Sequence, residues 1–247
     1  MTANPTTKPA TTTTATTRRM RAAALAGVSG QVFLVVGMLV AGWLQDGPYS
    51  VARHDMSDMA AVGVSHAWVV QLSQGVGGAT TVIFAWLAFR PALAGVRGRT
   101  QAAVLLTVTW GVGNLSDVFF RVDCRIADGC TREEQVQTWH AAIHSFTSVG
   151  LLIFAVTPYL VARCLRRSSQ WARLARPSVY FGVGVDVFLV AAIALGEHWG
   201  TGYAQRLMLL SGAAWIAMLA TWPLWISARQ EMAAGDARSD GPMSTNA

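Results

Sequence analysis

Charge is scarce in this chain. Only 13% of its 247 residues are Asp, Glu, Lys or Arg, about half the share of an ordinary soluble domain. Lysine is nearly missing, since Lys8 is the one lysine among 19 basic residues. No stripe of basic residues and no nucleic-acid motif accompanies the net charge of +6, so nucleic acid is excluded as a partner. The small residues Gly75-Val76-Gly77-Gly78 lack the Walker or Rossmann context of a phosphate loop and read as a close helix contact. No repeat is visible. No small-x-small cleavage site closes the first apolar run, so that run reads as a retained span rather than a signal peptide. The short alternating runs of a membrane β-barrel are also missing.

What is present is apolar: 53% of the residues, gathered in six stretches at about 27–45, 66–89, 102–120, 140–163, 179–197 and 207–227. Each approaches the roughly 20 residues that cross a bilayer as a helix. The expected fold is an all-α integral membrane protein, a six-transmembrane-helix bundle in contact with the lipid bilayer. Residues 1–22 read as a disordered Thr-rich tail, 23–227 as the membrane domain and 228–247 as a flexible tail.

Arginine placement sets the expected orientation. One set of connections holds Lys8 and Arg18, 19, 21, 90, 97, 99, 163, 166, 167, 173, 176, 229 and 238; the other holds Arg53, 121, 125, 132 and 206. The richer set is assigned to the cytoplasm, which puts both termini inside and makes the protein a multi-pass plasma-membrane protein. Trp43, Trp68, Trp139, Trp171, Trp199 and Trp225 near the span ends suit an interfacial belt.

The chemistry-bearing residues then gather on the outer side. His54, His66, His140, His144 and His198 all lie at or near outer span ends. Most carboxylates do too. Cys124 and Cys130 share one outer loop, where a disulfide is expected, with two free thiols or a metal pair as alternatives. His140 and His144 are four residues apart and share a helix face. Such a pair can hold Zn²⁺ if a third ligand joins, and Asp117 or Asp123 is the nearest candidate. Hydrogen bonding without metal, or a structural role at the interface, is equally open to the pair.

Span three carries Asn114, Asp117 and Arg121 as one polar stripe. Together with His66, His140 and His144 it suggests an outward-facing pocket among spans two, three and four. The alternative is polar glue between helices. Asp186 lies near the middle of span five, where a neutral, hydrogen-bonded acid or a proton or ion path would account for it. In the first outer loop Ser57 stands between His54 and Asp58. Those residue types suit nucleophilic catalysis, but adjacency alone does not build a triad; helix capping by Ser57 and solvated loop charge would equally explain them.

Three stretches resemble the bacterial membrane proteins of domain-of-unknown-function family 998. They are Gly47-Pro48-Tyr49-Ser50 with Arg53-His54-Asp55-Met56-Ser57-Asp58-Met59; Phe120-Arg121-Val122-Asp123-Cys124 through Cys130 to Trp139-His140 and His144; and Gly200-Thr201-Gly202-Tyr203-Ala204-Gln205-Arg206-Leu207. Gly47-Pro48 stands where the family pattern has Pro-Gly. The resemblance implies a six-span fold in a bacterial plasma membrane and brings no established activity. It directs attention to Ser57, Asp58, Asp123, His140, His144 and Arg206.

Three functions are therefore expected candidates. The first is binding or movement of a small polar or lipid-headgroup ligand by a pocket of His, Asp and Arg, with His54, His66, Asn114, Asp117, Asp123, His140, His144 and Arg206 as contacts. The second is a zinc-dependent hydrolase of a lipid amide or ester, with the metal on His140, His144 and Asp117. The third is a structural or accessory subunit.

Overall fold

The computed structural model describes residues 10–196 and 198–239. Among these residues the chain is helical, with no strand. Six helices are long and apolar enough to cross a membrane: span 1 (Ala15–Trp43), span 2 (Ala67–Ala92), span 3 (Arg99–Phe119), span 4 (Trp139–Leu165), span 5 (Ala172–Leu195) and span 6 (Thr201–Ile226). The expected six-span all-α fold is the observed one. Lipid-facing positions carry exposed Leu, Val, Ile and Phe, such as Leu39, Leu87, Val108, Phe146, Val187 and Leu210. In a bilayer such side chains lose nothing by exposure.

The tails differ from expectation. The first helix begins at Ala10, so the part of the expected disordered tail from residue 10 onward is helical. The last helix runs to Ser239, well into the expected flexible tail. An apolar span is a ready nucleus, and each further residue then adds one backbone bond at little cost. Residues 1–9 and 240–247, the rest of those two expected tails, lie outside the described residues, as does Glu197.

The spans form a ring in chain order. Each packs against the next, and span 6 returns to span 1. Aromatic side chains fill the middle. Trp110 of span 3 lies 4.7 Å from Phe154 of span 4, and Phe154 lies 6.1 Å from Trp215 of span 6. Gln31 of span 1 ties this centre together. It accepts a hydrogen bond from the Trp110 indole at 2.9 Å and donates to the Thr81 hydroxyl at 3.0 Å. A mid-span glutamine is costly in lipid unless its amide is satisfied, and here both ends of the amide are bonded.

Two spans widen locally into π-type turns, at Ala85–Phe89 and Thr107–Val112. The second turn contains Trp110. The third feature of the interior is a lateral one: Gly182 of span 5 leaves room for the Tyr159 ring, and the Tyr159 hydroxyl donates to Asp186 Oδ2 at 2.5 Å. Asp186 is thus a paired acid between spans 4 and 5.

Candidate functional site

One end of the bundle carries the longer loops, 44–66 and 120–138, together with the short turn before span 6. The resemblance-bearing stretches of the sequence meet there. The first turn of span 6 docks on the loop backbone: the amides of Gly200 and Gly202 donate to the Ala52 carbonyl at 2.9 and 3.1 Å. Only glycine fits at 202, where a Cβ would sit 2.3 Å from the Val51 carbonyl oxygen. One turn on, Arg206 Nη1 donates to the carbonyls of Val51 and Gly202 at 3.0 and 2.9 Å, and Nη2 to the Tyr49 hydroxyl. Burial pushes the Tyr49 hydroxyl above its ordinary pKa, although Arg206 opposes this. Gln205 completes the joint, donating to Asp55 Oδ1 at 2.7 Å and accepting from the Met56 amide at 2.9 Å. Arg132 reaches the other Asp55 oxygen at 2.8 Å.

Asp58 joins the first loop to the second. Its side chain is fully buried. The Gln135 amide donates to Oδ1 at 2.9 Å, and the Ala127 backbone amide to Oδ2 at 3.2 Å. Among the described residues no cation bonds this carboxylate directly. Desolvation accordingly raises the Asp58 pKa, against the lowering effect of the Ala127 and Ile126 amides.

The second loop is cross-linked by a Cys124–Cys130 disulfide, as expected. Within that ring Arg125, only 9% exposed, forms a two-pronged ion pair with Asp128 at 2.9 and 2.7 Å. The same guanidinium donates to Gln45 Oε1 at 3.2 Å and the Asp46 carbonyl at 3.1 Å. The Arg125 hydrogen bonds hold the Asp128 carboxyl below its usual pKa. Gly129 follows with φ +92°, a left-handed turn that returns the chain to Cys130. Thr138 caps span 4, its hydroxyl accepting from the Ala141 amide, and Asp123 holds Thr138: desolvation raises the Asp123 pKa, but bonds from the Thr138 hydroxyl at 2.6 Å and amide at 2.7 Å bring it below the ordinary value.

The structure brings some predicted site residues together and separates others. His144 Nδ1 lies 3.1 Å from Asp117 Oδ1, and Gln74 donates to the other Asp117 oxygen at 3.0 Å. This polar chain crosses spans 4, 3 and 2. His140 is not part of it; its ring is exposed and stacks 3.6 Å from the Trp139 ring. The helix turns His140 toward the interface and His144 toward span 3. Among the described residues no group of three His, Cys, Asp or Glu side chains comes together in a way that could hold a metal ion. Asn114 bonds back to the Trp110 carbonyl of its own helix at 2.8 Å.

Ser57, His54 and Asp58 do not assemble as a triad. His54 Nδ1 accepts the Ser50 amide at 2.8 Å, and Asp58 is turned into the second loop. Two glutamines not among the expected site residues, Gln45 and Gln135, help Gln205 hold the cap together, with Gln31 beneath them. A polar residue in or bordering an apolar run was the available signal, and Gln31 was the clearest instance.

An open cleft of about 520 Å³ remains at this end. Its walls are the end of span 1 (Gln45, Asp46), the segment leading into span 2 (Gly63, His66) and the cross-linked loop (Arg125, Asp128, Glu134). Of the predicted contacts only His66 lines it. Arg206, Asp117 and His144 lie elsewhere.

The fold and this cap define the chain as a six-span helical membrane protein. The family model described as "Protein of unknown function (DUF998)" matches residues 14–222, and the chain belongs to that family. No curated protein and no solved structure matches it.

Proposed function

We propose that this protein is a multi-pass plasma-membrane protein that binds a small polar molecule or a lipid headgroup at its extracytoplasmic end. The observation that carries this reading is the cleft walled by Asp46, His66, Arg125, Asp128 and Glu134. The orientation rests on arginine: the connections at the opposite end hold Arg97, Arg99, Arg166, Arg167 and Arg173. Because Arg125 is already matched by Asp128, Asp46 and Glu134 leave the wall with excess negative charge. That balance favours neutral or cationic groups, such as an amine-bearing headgroup, over a phosphate.

The test is thermal unfolding of the purified protein in lipid nanodiscs with ethanolamine, choline and phosphate compounds. A bound ligand at about 100 times its Kd stabilises by roughly 3 kcal/mol. An amine-bearing compound that raises Tm in the wild type, but not in His66→Ala or Glu134→Gln, supports the reading. Equal responses in wild type and both variants would refute it. Orientation is read separately, in a Cys164→Ser background, with Glu133→Cys and Ser169→Cys variants. An impermeant thiol reagent applied to intact cells should label the first variant and leave the second untouched.

A further inference from the structure

The Cys124–Cys130 ring encloses the groups that tie its loop to two other segments. Arg125 donates to Gln45 and the Asp46 carbonyl at the end of span 1. The Ala127 amide donates to buried Asp58 in the first loop. Outside the ring, the loop is held independently. The Val62 amide donates to the Val122 carbonyl at 3.0 Å, the Asp123 amide to the Gln135 carbonyl at 3.1 Å, and Gln135 to Asp58 and the Cys124 carbonyl at 2.9 and 3.2 Å. The ring is therefore a small unit, clipped at both flanks, whose inner clasps depend on its closed shape.

Both cysteines line the 520 Å³ cleft. The disulfide thus stands on the wall of an open cavity, where a thiolate has access to it. Arg125 and Asp128, both inside the ring, face the same cleft.

We propose that the Cys124–Cys130 disulfide is a redox-sensitive latch, opened by a dithiol reductant, whose opening releases the Arg125 and Ala127 clasps and reshapes the cleft wall. The exchange balances in two steps. A thiolate of the dithiol attacks one of the two sulfurs, the S–S bond breaks, and a mixed disulfide forms as the other cysteine leaves as a thiolate. The second thiol of the reductant then attacks the mixed disulfide and releases the first cysteine. The dithiol gives up two electrons and becomes a disulfide, and its two protons end on Cys124 and Cys130. The reductant class that fits is a small dithiol or the exposed dithiol of an oxidoreductase domain. Opening is local because the flanking bonds and the six spans do not pass through the ring.

The latch is tested without reference to any ligand, so it stands or falls apart from the binding reading. Full-length protein in nanodiscs, in a Cys164→Ser background, is treated with dithiothreitol, alkylated and exposed briefly to trypsin. Far-UV circular dichroism monitors the helices. The expected result is alkylation of both Cys124 and Cys130 in the folded protein, unchanged helicity, and cleavage after Arg125 about tenfold faster than in the oxidised form. A Cys124→Ser, Cys130→Ser double variant should show the same fast cleavage without reductant. Two results would overturn the proposal: a disulfide that dithiothreitol reduces only after denaturation, or Arg125 cleavage equally slow in the oxidised, reduced and double-variant proteins.

Discussion

The indole of Trp110 lies directly over Gly212. A Cβ at position 212 would sit 2.4 Å from two carbons of that ring. Span 6 can therefore close against the aromatic centre only with glycine at this point. Trp110 is only 4% exposed, and its indole nitrogen is fixed on Gln31, so the ring has no direction in which to retreat. Gly212→Ala should destabilise the protein by about 1–3 kcal/mol through overpacking. Gly113→Ala, with nothing within 4 Å of its Cβ, is the matched control and should change Tm little. Thermal unfolding in one detergent compares the two.

Tyr159 and Asp186 make a second focused test. Oδ1 of Asp186 is buried without a hydrogen-bond partner, while Oδ2 takes the Tyr159 hydroxyl. Tyr159→Phe leaves both oxygens unbonded and should cost about 1–3 kcal/mol. Asp186→Asn keeps an acceptor for the tyrosine and should cost less. If Tyr159→Phe unfolds at the wild-type temperature, the pair contributes nothing to the contact of spans 4 and 5.

Asp58 and Asp128 should respond to pH in opposite senses. The Asp58 pKa is raised above 3.8 by burial. Its contribution to stability is therefore fully present below pH 3.8 and is lost as pH rises through the folded value. The Asp128 pKa is lowered from 3.8 by Arg125. Its contribution is present above pH 3.8 and is lost as pH falls through the folded value. Asp58→Asn should flatten the first dependence, because Gln135 can turn its carbonyl to the new amide. Asp128→Asn should flatten the second. Chemical denaturation followed across pH 3–7 separates them; a wild type and Asp58→Asn with parallel profiles would contradict the assignment.

Arg206 offers a test of geometry over charge. It donates to two backbone carbonyls through Nη1 and to Tyr49 through Nη2. Arg206→Ala should cost about 2–4 kcal/mol, since three hydrogen bonds from a charged group are lost and the Val51 carbonyl is left bare. Arg206→Lys should restore less than half, because an ammonium cannot spread over acceptors on two sides as the planar fork does. Tm and protease resistance of loop 44–66 report both.

The six spans were legible because hydropathy is a local signal: a run such as Leu34 to Leu44 announces a lipid-crossing helix without reference to the rest of the chain. The Cys124–Cys130 bridge was legible for the same reason, with only five residues between its ends. What joins Asp58 to Gln135, or Tyr49 to Arg206, was hidden. Those partners are separated by 77 and 157 positions, and no periodicity encodes which loops meet. The histidines misled in a specific way. His140 and His144 share a helix face, yet His140 lies one turn nearer the start of the helix, against Trp139, while His144 meets Asp117. The early start of the first helix at Ala10 was also hidden, because Thr-rich sequence carries little helix propensity of its own.

A ring whose neighbours in space are mostly neighbours in sequence closes at a long-range seam, where span 6 meets span 1 and also reaches the aromatic centre through Gly212 and Trp215. Most other helix contacts become available as each successive span is threaded into the bilayer. Until the seam closes, the Trp110 and Phe154 rings face a gap that Gly212 and Trp215 of span 6 fill, whereas the Gln31 amide is already matched within spans 1 to 3. The growing chain thus remains an open crescent through five insertions, and the final one converts it to a sealed cylinder. The face such an unfinished crescent leaves open is the aromatic one, lined by Trp110 and Phe154.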